Sequence, residues 1–294
     1  MYAITGITGQ VGGVAARVLL AAGRNVRAVV RNPDKASEWQ RAGCEIAVAA
    51  MDDAVALERA FSGVEAVFVL LPPNFDPSPG FPESRNTIAA LRQALERARP
   101  QRVVCLSTVG AHATQENLLT QLSIMERELG ELSGQLSVPV TFLRAAWFIE
   151  NAAWDIAPAI ETGVIASYLQ PLDRAIPMVA TADIGRVVAQ LLQETWSGRR
   201  VVELEGPERV SPNDLAAVLS ALLGRPVVAQ AVPRDTWEAE FRAQGMRNPL
   251  PRMQMLDGFN AGWIDFEHQT MKGRVGPRLV LSGLIERAGV RTDG

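Results

Sequence analysis

The 294-residue sequence predicts an α/β protein with a doubly wound parallel sheet and a smaller C-terminal α/β lobe. Three observations carry that prediction. Short apolar runs alternate with longer helical patterns through the first half, the rhythm of a parallel sheet covered on both faces by right-handed crossovers. Several of the runs are nearly unbroken Val, Ile, Leu and Ala, as expected where both faces of a strand are buried. A glycine-rich turn stands between the first run and the first helical stretch.

The strand-like runs are Met1–Thr5, Val26–Val30, Glu45–Ala49, Ala66–Leu71, Val103–Ser107 and Val140–Leu143. Helical patterns fill the gaps at Val11–Ala22, Asp34–Ala42, Ala54–Phe61, Ser84–Ala98 and Leu118–Leu132. After Leu143 the alternation loosens. Residues 147–177 hold a short amphipathic stretch and then Gly and Pro breaks. A helix over Asp183–Glu194 and a strand over Val201–Leu204 follow. Ser211 and Asn213 are candidate caps for a helix over Asp214–Leu223 that ends at Gly224, ahead of Pro226. The last sixty residues, rich in Arg, Pro, Met and aromatics, show no clear sheet rhythm. The expected organisation is a dinucleotide-binding domain over 1–150, with 181–205 returning to it. Segments 151–180 and 206–294 form the smaller C-terminal substrate lobe.

Composition narrows the function classes. Hydrophobic residues make up 48% of the chain, enough for a substantial core, and the net charge of −3 comes with no basic block. That is not the electrostatic footprint of a nucleic-acid binder. Cys44 and Cys105 are too few for a disulfide framework, and Cys105 lies in an apolar run, so it reads as a buried, inert thiol. The sequence opens on strand-like residues, with no secretory pattern and no apolar run of membrane-spanning length. The expectation is a cytoplasmic protein with no membrane partner. No Cys, His and Asp cluster has metal-ligand spacing, and no nucleophile has a neighbouring base.

Gly6-Ile7-Thr8-Gly9-Gln10-Val11-Gly12 is the sharpest motif. One glycine lets the chain turn tightly, the next lets backbone approach a diphosphate, and the last lets helix and sheet pack closely. The helix start then offers N–H groups and the positive end of its dipole to phosphate. Glycine-rich turns are common, but this one has the required setting, with a strand before, a helix after and a second strand beyond. It marks a Rossmann-type dinucleotide site. Enzymes that prefer NAD place an Asp or Glu at the end of the second strand, to accept from the ribose hydroxyls. Here that strand runs into Arg31-Asn32-Pro33-Asp34-Lys35. A guanidinium at this point meets an adenosine 2′-phosphate in a charge-assisted contact, with Lys35 as a second cation. Such a contact is worth roughly 1.5–3 kcal/mol, so NADP(H) is the expected cofactor.

The order of motifs resembles the NmrA-like group of atypical short-chain dehydrogenases/reductases. The matching stretches are Thr5-Gly6-Ile7-Thr8-Gly9-Gln10-Val11-Gly12, Val29-Val30-Arg31-Asn32-Pro33-Asp34-Lys35-Ala36 and Val67-Phe68-Val69-Leu70-Leu71-Pro72-Pro73. They continue with Val104-Cys105-Leu106-Ser107-Thr108-Val109-Gly110-Ala111, Val140-Thr141-Phe142-Leu143-Arg144 and Trp147-Phe148-Ile149-Glu150-Asn151. Ile176-Pro177-Met178-Val179, Asp183-Ile184-Gly185 and Phe259-Asn260-Ala261-Gly262-Trp263-Ile264-Asp265-Phe266-Glu267 complete the series. The likeness spans nearly the whole chain, and its specificity lies in the order of the motifs. The group includes NADPH-dependent quinone, azo-dye and triphenylmethane-dye reductases as well as dinucleotide-sensing regulators. The resemblance implies diphosphate contact near Thr8, Gly9, Gln10 and Val11, and 2′-phosphate contact at Arg31. It also implies that Leu71 and Pro72 flank the ribose, that Ser107 lies near the nicotinamide, and that Ala145–Phe148 wall its pocket. Two departures stand out. Where the group often has Gly-Asp after the third strand, with the Asp near adenine, this chain has Ala49-Ala50-Met51, which leaves backbone atoms of Met51 as the substitute. Arg144-Ala145 replaces the usual Arg-Pro.

Typical short-chain dehydrogenases use a Tyr, a Lys four residues later and a nearby Ser. The Lys lowers the Tyr pKa and the Tyr protonates the oxygen that receives hydride. The only lysines here are Lys35 and Lys272, and the only tyrosines Tyr2 and Tyr168. Four residues after the tyrosines stand Gly6 and Leu172, and the equivalent helix positions after Ser107 read Leu119 and Ser123. Losing a positioned general acid costs about 10²–10⁴ in rate. The loss matters least for a quinone or conjugated dye, where the added electron pair is delocalised and water can supply the proton.

The expected function is therefore an NADPH-dependent reductase passing hydride to a flat, electron-poor small molecule such as a quinone or azo dye. Ser107 is a candidate donor to substrate or a structural hydroxyl at the strand end. His112 is a candidate proton donor or a solvent-facing loop residue, and His268 reads as surface. Trp147, Phe148, Phe259 and Trp263 form a candidate aromatic wall for the acceptor or ordinary packing. The rival reading is a non-catalytic NADP(H) redox sensor acting on a protein partner. A carbonyl or imine reductase using His112 or water is a third. The sequence leaves open whether a homodimer forms.

Overall fold

A computed structural model describes residues 1–289, and 290–294 lie outside the described residues. In chain order the first elements are β1 (Tyr2–Ile4), α1 (Gln10–Ala21), β2 (Val26–Val30), α2 (Ser37–Arg41), β3 (Glu45–Val48), α3 (Ala54–Phe61) and β4 (Ala66–Val69). Next come α4 (Pro82–Ala98), β5 (Arg102–Thr108), α5 (Thr120–Leu136), β6 (Val140–Ala145), β7 (Trp147–Phe148), α6 (Ile156–Glu161) and β8 (Val164–Ser167). Then follow β9 (Ile176–Val179), α7 (Thr181–Gln193), β10 (Arg199–Glu205), β11 (Arg209–Val210) and α8 (Pro212–Leu223). The last are β12 (Val228–Ala231), α9 (Trp237–Ala243), α10 (Leu250–Ala261), β13 (Met271–Lys272) and α11 (Pro277–Arg287).

The principal sheet has eight strands in the order β13-β10-β6-β5-β4-β1-β2-β3. From β3 across to β5 every pairing is parallel, with Tyr2 opposite Val26 on one side and Ala66 on the other. The chain winds outward from β1 to β3, then restarts on the other side of β1 with β4. That reversal makes the carboxyl ends of β1 and β4 a topological switch point, where open α/β sheets bind ligands.

Two compact units divide the chain. One comprises 1–112, 119–144 and 184–202; the other comprises 113–118, 145–183 and 203 onward. In the first unit, α4 packs between α3 and α5. Leu57, Phe61, Leu91, Leu95, Leu129 and Phe142 are buried in one continuous apolar cluster there. Truncating such a residue to Ala costs about 3–5 kcal/mol for Phe. The second unit contains a three-stranded sheet, β11-β9-β7, and a two-stranded parallel sheet, β12-β8. It also holds α6, α8, α9, α10 and α11.

Local sequence explains most helix ends. Asp53 caps α3 by accepting from the Val55 and Ala56 N–H groups at 3.1 and 3.0 Å. Ser211 and Asp214 form a reciprocal capping box on α8, and Gly224 closes that helix in the left-handed conformation, φ 63°. Asn213, the other expected cap, lies inside α8, and its N–H goes to the Leu172 carbonyl at 3.0 Å. The single helix expected at 34–42 is a 3₁₀ turn over Pro33–Ala36 followed by the short α2, because Asn32 caps the turn from outside. Of the last sixty residues, which show no clear sheet rhythm, those described carry three helices, α9, α10 and α11.

Candidate functional site

The parallel strands deliver the expected cofactor residues to one edge. Gly6–Gly12 follow β1, Arg31 follows β2, Met51 lies just beyond β3, Leu71 and Pro72 lie just beyond β4, and Ser107 is near the end of β5. Thr5 ties the two strands at the switch point together. Its hydroxyl donates to the Phe68 carbonyl at 3.0 Å and accepts from the Leu70 N–H at 3.0 Å.

The glycine turn is held where side chains do not fit. Gly6 adopts φ +60°, and a Cβ there would sit 2.5 Å from Leu70 Cδ2. A Cβ on Gly12 would fall 2.5 Å from the Gly6 carbonyl oxygen, which is backbone and cannot swing away. Helix α1 therefore starts pressed against the turn. No side chain caps it at Gly9, and its first turn carries no acidic residue. Thr8, Gly9 and Gln10 are exposed. An uncapped, solvent-facing start on a twelve-residue helix suits a diphosphate, whose oxygens can take the N–H groups that Asp53 and Ser211 satisfy on α3 and α8. The cradle fits the cofactor that the sequence implies.

Arg31 and Lys35 are both exposed, and neither forms an ion pair among the described residues. Two uncommitted cations directly after β2, with no carboxylate at the strand end, suit a phosphate on the ribose. Met51 is half-buried. Asp53, two residues on, spends its carboxylate on the α3 cap and is not a substitute for the missing adenine-side Asp. Leu71 is buried and Pro72 exposed.

Ser107 faces inward. Its hydroxyl donates to Glu126 Oε1 at 2.6 Å. Glu126 also receives Arg144, whose Nε reaches Oε1 and whose Nη2 reaches Oε2, both at 2.9 Å. Arg199 approaches the same carboxylate at 3.5 Å. Ser107, Glu126 and Arg144 are 4%, 3% and 5% exposed. The hydroxyl proton is thus used inside the unit, the structural role that sequence reasoning left open. Glu126 was not singled out from the sequence, though a signal existed. Arg144 is the one charged residue in the otherwise buried Val140–Ala145 strand, and a buried guanidinium calls for a carboxylate. Cys105 is fully buried next to this pair, and burial pushes its thiol far above the ordinary range, with the Glu126 charge adding to the effect. It is an inert thiol, as expected. His112, in the loop after β5, is half-buried rather than solvent-facing.

In the second unit, two of the four candidate aromatics meet. Trp147 and Phe259 pack edge to face with centroids 5.3 Å apart and planes at 88°. Phe148 is half-buried in β7 opposite Val179, and Trp263 packs over Gly258, where a Cβ would lie 2.6 Å from its ring. Those two make no ring contact with the first pair. Several family-like motif residues are structural. Glu150 accepts from the Thr181 N–H and hydroxyl, and Asp183 accepts from the Arg274 and Val275 N–H groups at 2.9 Å. Gly185 leaves room for Val14 of α1, which a Cβ would meet at 2.5 Å.

Neither tyrosine has a lysine neighbour. Tyr2 is buried in β1, Tyr168 donates to Glu240 at 2.8 Å, Lys35 is exposed, and Lys272 is paired with Glu205 at 2.8 Å. No group of metal-ligating side chains occurs among the described residues, and no described helix is long and apolar enough to cross a membrane.

The NmrA-like family matches residues 2–265. The chain belongs to that family. It is 31% identical over 229 residues to a (4-alkanoyl-5-oxo-2,5-dihydrofuran-3-yl)methyl phosphate reductase of Streptomyces griseus, covering 77% of this chain and 75% of that protein. It is 28% identical to quinone oxidoreductase 2 of Escherichia coli, covering 86% and 85% of the two chains. An NAD(P)H azoreductase of Xenophilus azovorans is 27% identical over 85% of this chain and 83% of that one. The same fold is found in the triphenylmethane reductase of Citrobacter sp., with a TM-score of 0.79 and 20% identity over 97% of this chain and 99% of the other. It recurs in the NADPH complex of an Escherichia coli quinone oxidoreductase, with a TM-score of 0.75 and 24% identity over 100% and 96%.

Proposed function

We propose that this NmrA-like protein is an NADPH-dependent reductase of flat, electron-poor small molecules. The observation that carries the reading is the pairing of an uncapped α1 start with two uncommitted cations, Arg31 and Lys35, beyond β2. NADPH supplies a hydride equivalent when bound. The chain supplies placement. The α1 start and Thr8–Val11 hold the diphosphate, Arg31 with Lys35 the 2′-phosphate, backbone at Met51 the adenine, and Leu71 with Pro72 the ribose. The Ser107–Glu126–Arg144 network fixes the end of β5 that flanks the nicotinamide. Half-buried Trp147, packed against Phe259, offers aromatic surface to the acceptor.

The named relatives support the acceptor class. A quinone, an azo compound and an unsaturated furanone all delocalise an added electron pair. Such an acceptor tolerates a proton from water, which suits a chain whose Ser107 proton goes to Glu126 and whose tyrosines lack a lysine. Catalysis then comes mainly from positioning.

The same commitment of Ser107 also favours a second reading, an NADP(H)-binding sensor with no turnover. NADPH absorbance followed with a panel of quinones, azo dyes and unsaturated lactones separates the two. Oxidation above the buffer rate with at least one acceptor is expected; none across the panel assigns the protein to the sensor class.

A further inference from the structure

We propose that Arg252 forms an anion-binding subsite that selects acceptors bearing a carboxylate, sulfonate or phosphate substituent. This rests on the reductase reading for its meaning, but not for its test. Arg252 is half-buried in the first turn of α10. Its guanidinium lies 4.4 Å from the Phe241 ring and 5.8 Å from the Trp154 ring. Stacking of that kind holds the plane and leaves its edge, with the N–H donors, for another group. Among the described residues the edge finds only a weak contact to Met246 Sδ at 3.7 Å.

No carboxylate neutralises this cation among the described residues. Glu240, on the helix that carries Phe241, gives one oxygen to the Thr236 hydroxyl at 2.6 Å and the other to Tyr168 at 2.8 Å. The contrast with other arginines is plain. Arg92, Arg209 and Arg234 are pushed up by adjacent carboxylates, whereas burial pulls Arg252 down, opposed only by Tyr168. The location adds to the deficit. A cation in a first helical turn meets the positive end of the dipole, and the α10 start has neither a side-chain cap nor an acidic residue. Guanidinium and helix end together form a positive site short of an anion.

The flanking surface points to a flat ligand. Trp154 is 67% exposed beside the guanidinium, an unusual place for a large aromatic. An acceptor whose ring lies on the exposed face of Trp154 while its anionic group meets Arg252 uses both features. The relative that reduces a furanone phosphate acts on an acceptor with that combination of parts.

The test compares matched ligands on the intact chain and on Arg252→Met, which keeps the cover over Phe241 and removes the charge. Calorimetry with naphthoate and neutral naphthamide reads binding without turnover. Steady-state reduction of a naphthoquinone and its ring-sulfonated analogue reads KM and kcat. The charged member of each pair should bind about ten- to a hundredfold more tightly to the native chain. Arg252→Met should erase that preference while leaving KM and kcat for the neutral quinone within about twofold. Arg252→Lys should restore only part of it, because an ammonium lacks the planar fork. Equal affinity for both members, or an equal loss for both in Arg252→Met, overturns the proposal. If Arg252→Met does not fold, a native-chain preference that persists undiminished in high salt overturns it as well. Arg252-dependent naphthoate binding without quinone turnover upholds the subsite and removes the reductase reading. Turnover indifferent to Arg252 does the reverse.

Discussion

Ser107 gives its hydroxyl proton to Glu126 at 2.6 Å, and Arg144 clamps the same carboxylate through two nitrogens at 2.9 Å. A residue at the carboxyl end of a central strand, where a substrate donor is expected, is thereby tied to a buried ion pair between α5 and β6. Breaking one partner of such a pair leaves an uncompensated buried charge, which costs about 3–5 kcal/mol. Arg144→Met should therefore destabilise the first unit by that amount in urea unfolding. Ser107→Ala removes a hydrogen bond to a charged group and should cost about 1.5–3 kcal/mol, with kcat changed by less than about threefold. A kcat loss of 10² or more in Ser107→Ala, in the range expected of a lost proton donor, would show that the hydroxyl leaves Glu126 to serve the acceptor.

Arg31 is exposed and free of ion pairs, so its removal perturbs little besides the cofactor. Arg31→Ala should weaken NADPH binding about ten- to a hundredfold and leave NADH binding unchanged. Dissociation constants for both nucleotides, measured by fluorescence at one ionic strength, decide it. An unchanged ratio rules out the 2′-phosphate assignment.

Gly12 tests the cradle from the packing side. An added methyl would meet the Gly6 carbonyl oxygen at 2.5 Å, and that oxygen belongs to backbone. Gly12→Ala must push α1 away from the turn, at a cost of about 1–3 kcal/mol. Nucleotide affinity should fall by more than tenfold, because the α1 N–H groups move with the helix. Gly134→Ala is the control, since a Cβ there meets nothing within 4 Å. Equal affinities in the two variants would show that the turn does not hold the diphosphate.

What the sequence makes legible follows from how local each signal is. The strand at Val26–Val30 and the helix at Ala54–Phe61 stand where periodicity puts them, because pattern and caps agree. The glycine turn is legible because backbone geometry dictates its residue types. The C-terminal helices are harder to read. In α10, Met253, Met255, Leu256 and Phe259 are all buried, and Pro251 and Gly258 interrupt the run. Apolar residues then surround the helix and leave no single stripe to detect. Glu126 is hidden for a different reason. Its partners Ser107, Arg144 and Arg199 come from three separate strands, and only the sheet brings them together. The Arg252 environment is likewise tertiary, with Trp154 and Phe241 reaching it from distant segments.

Asp155, in the 3₁₀ stretch before α6, gives the fold a pH dependence of its own. Burial raises its carboxyl from 3.8 to about 7. A folded pKa above the unfolded one means that the native state binds the extra proton between those limits. Stability from this group is present in full below pH 3.8, falls as pH rises toward 7, and is lost above it. Asp155→Asn removes the titration while keeping the shape. At pH 8 the variant should be more stable than the native chain by on the order of 4 kcal/mol, and near pH 3.5 the two should unfold alike. Urea midpoints across that range check the sign. A variant that is less stable at pH 8 would mean that the ionised carboxylate has a stabilising partner in solution.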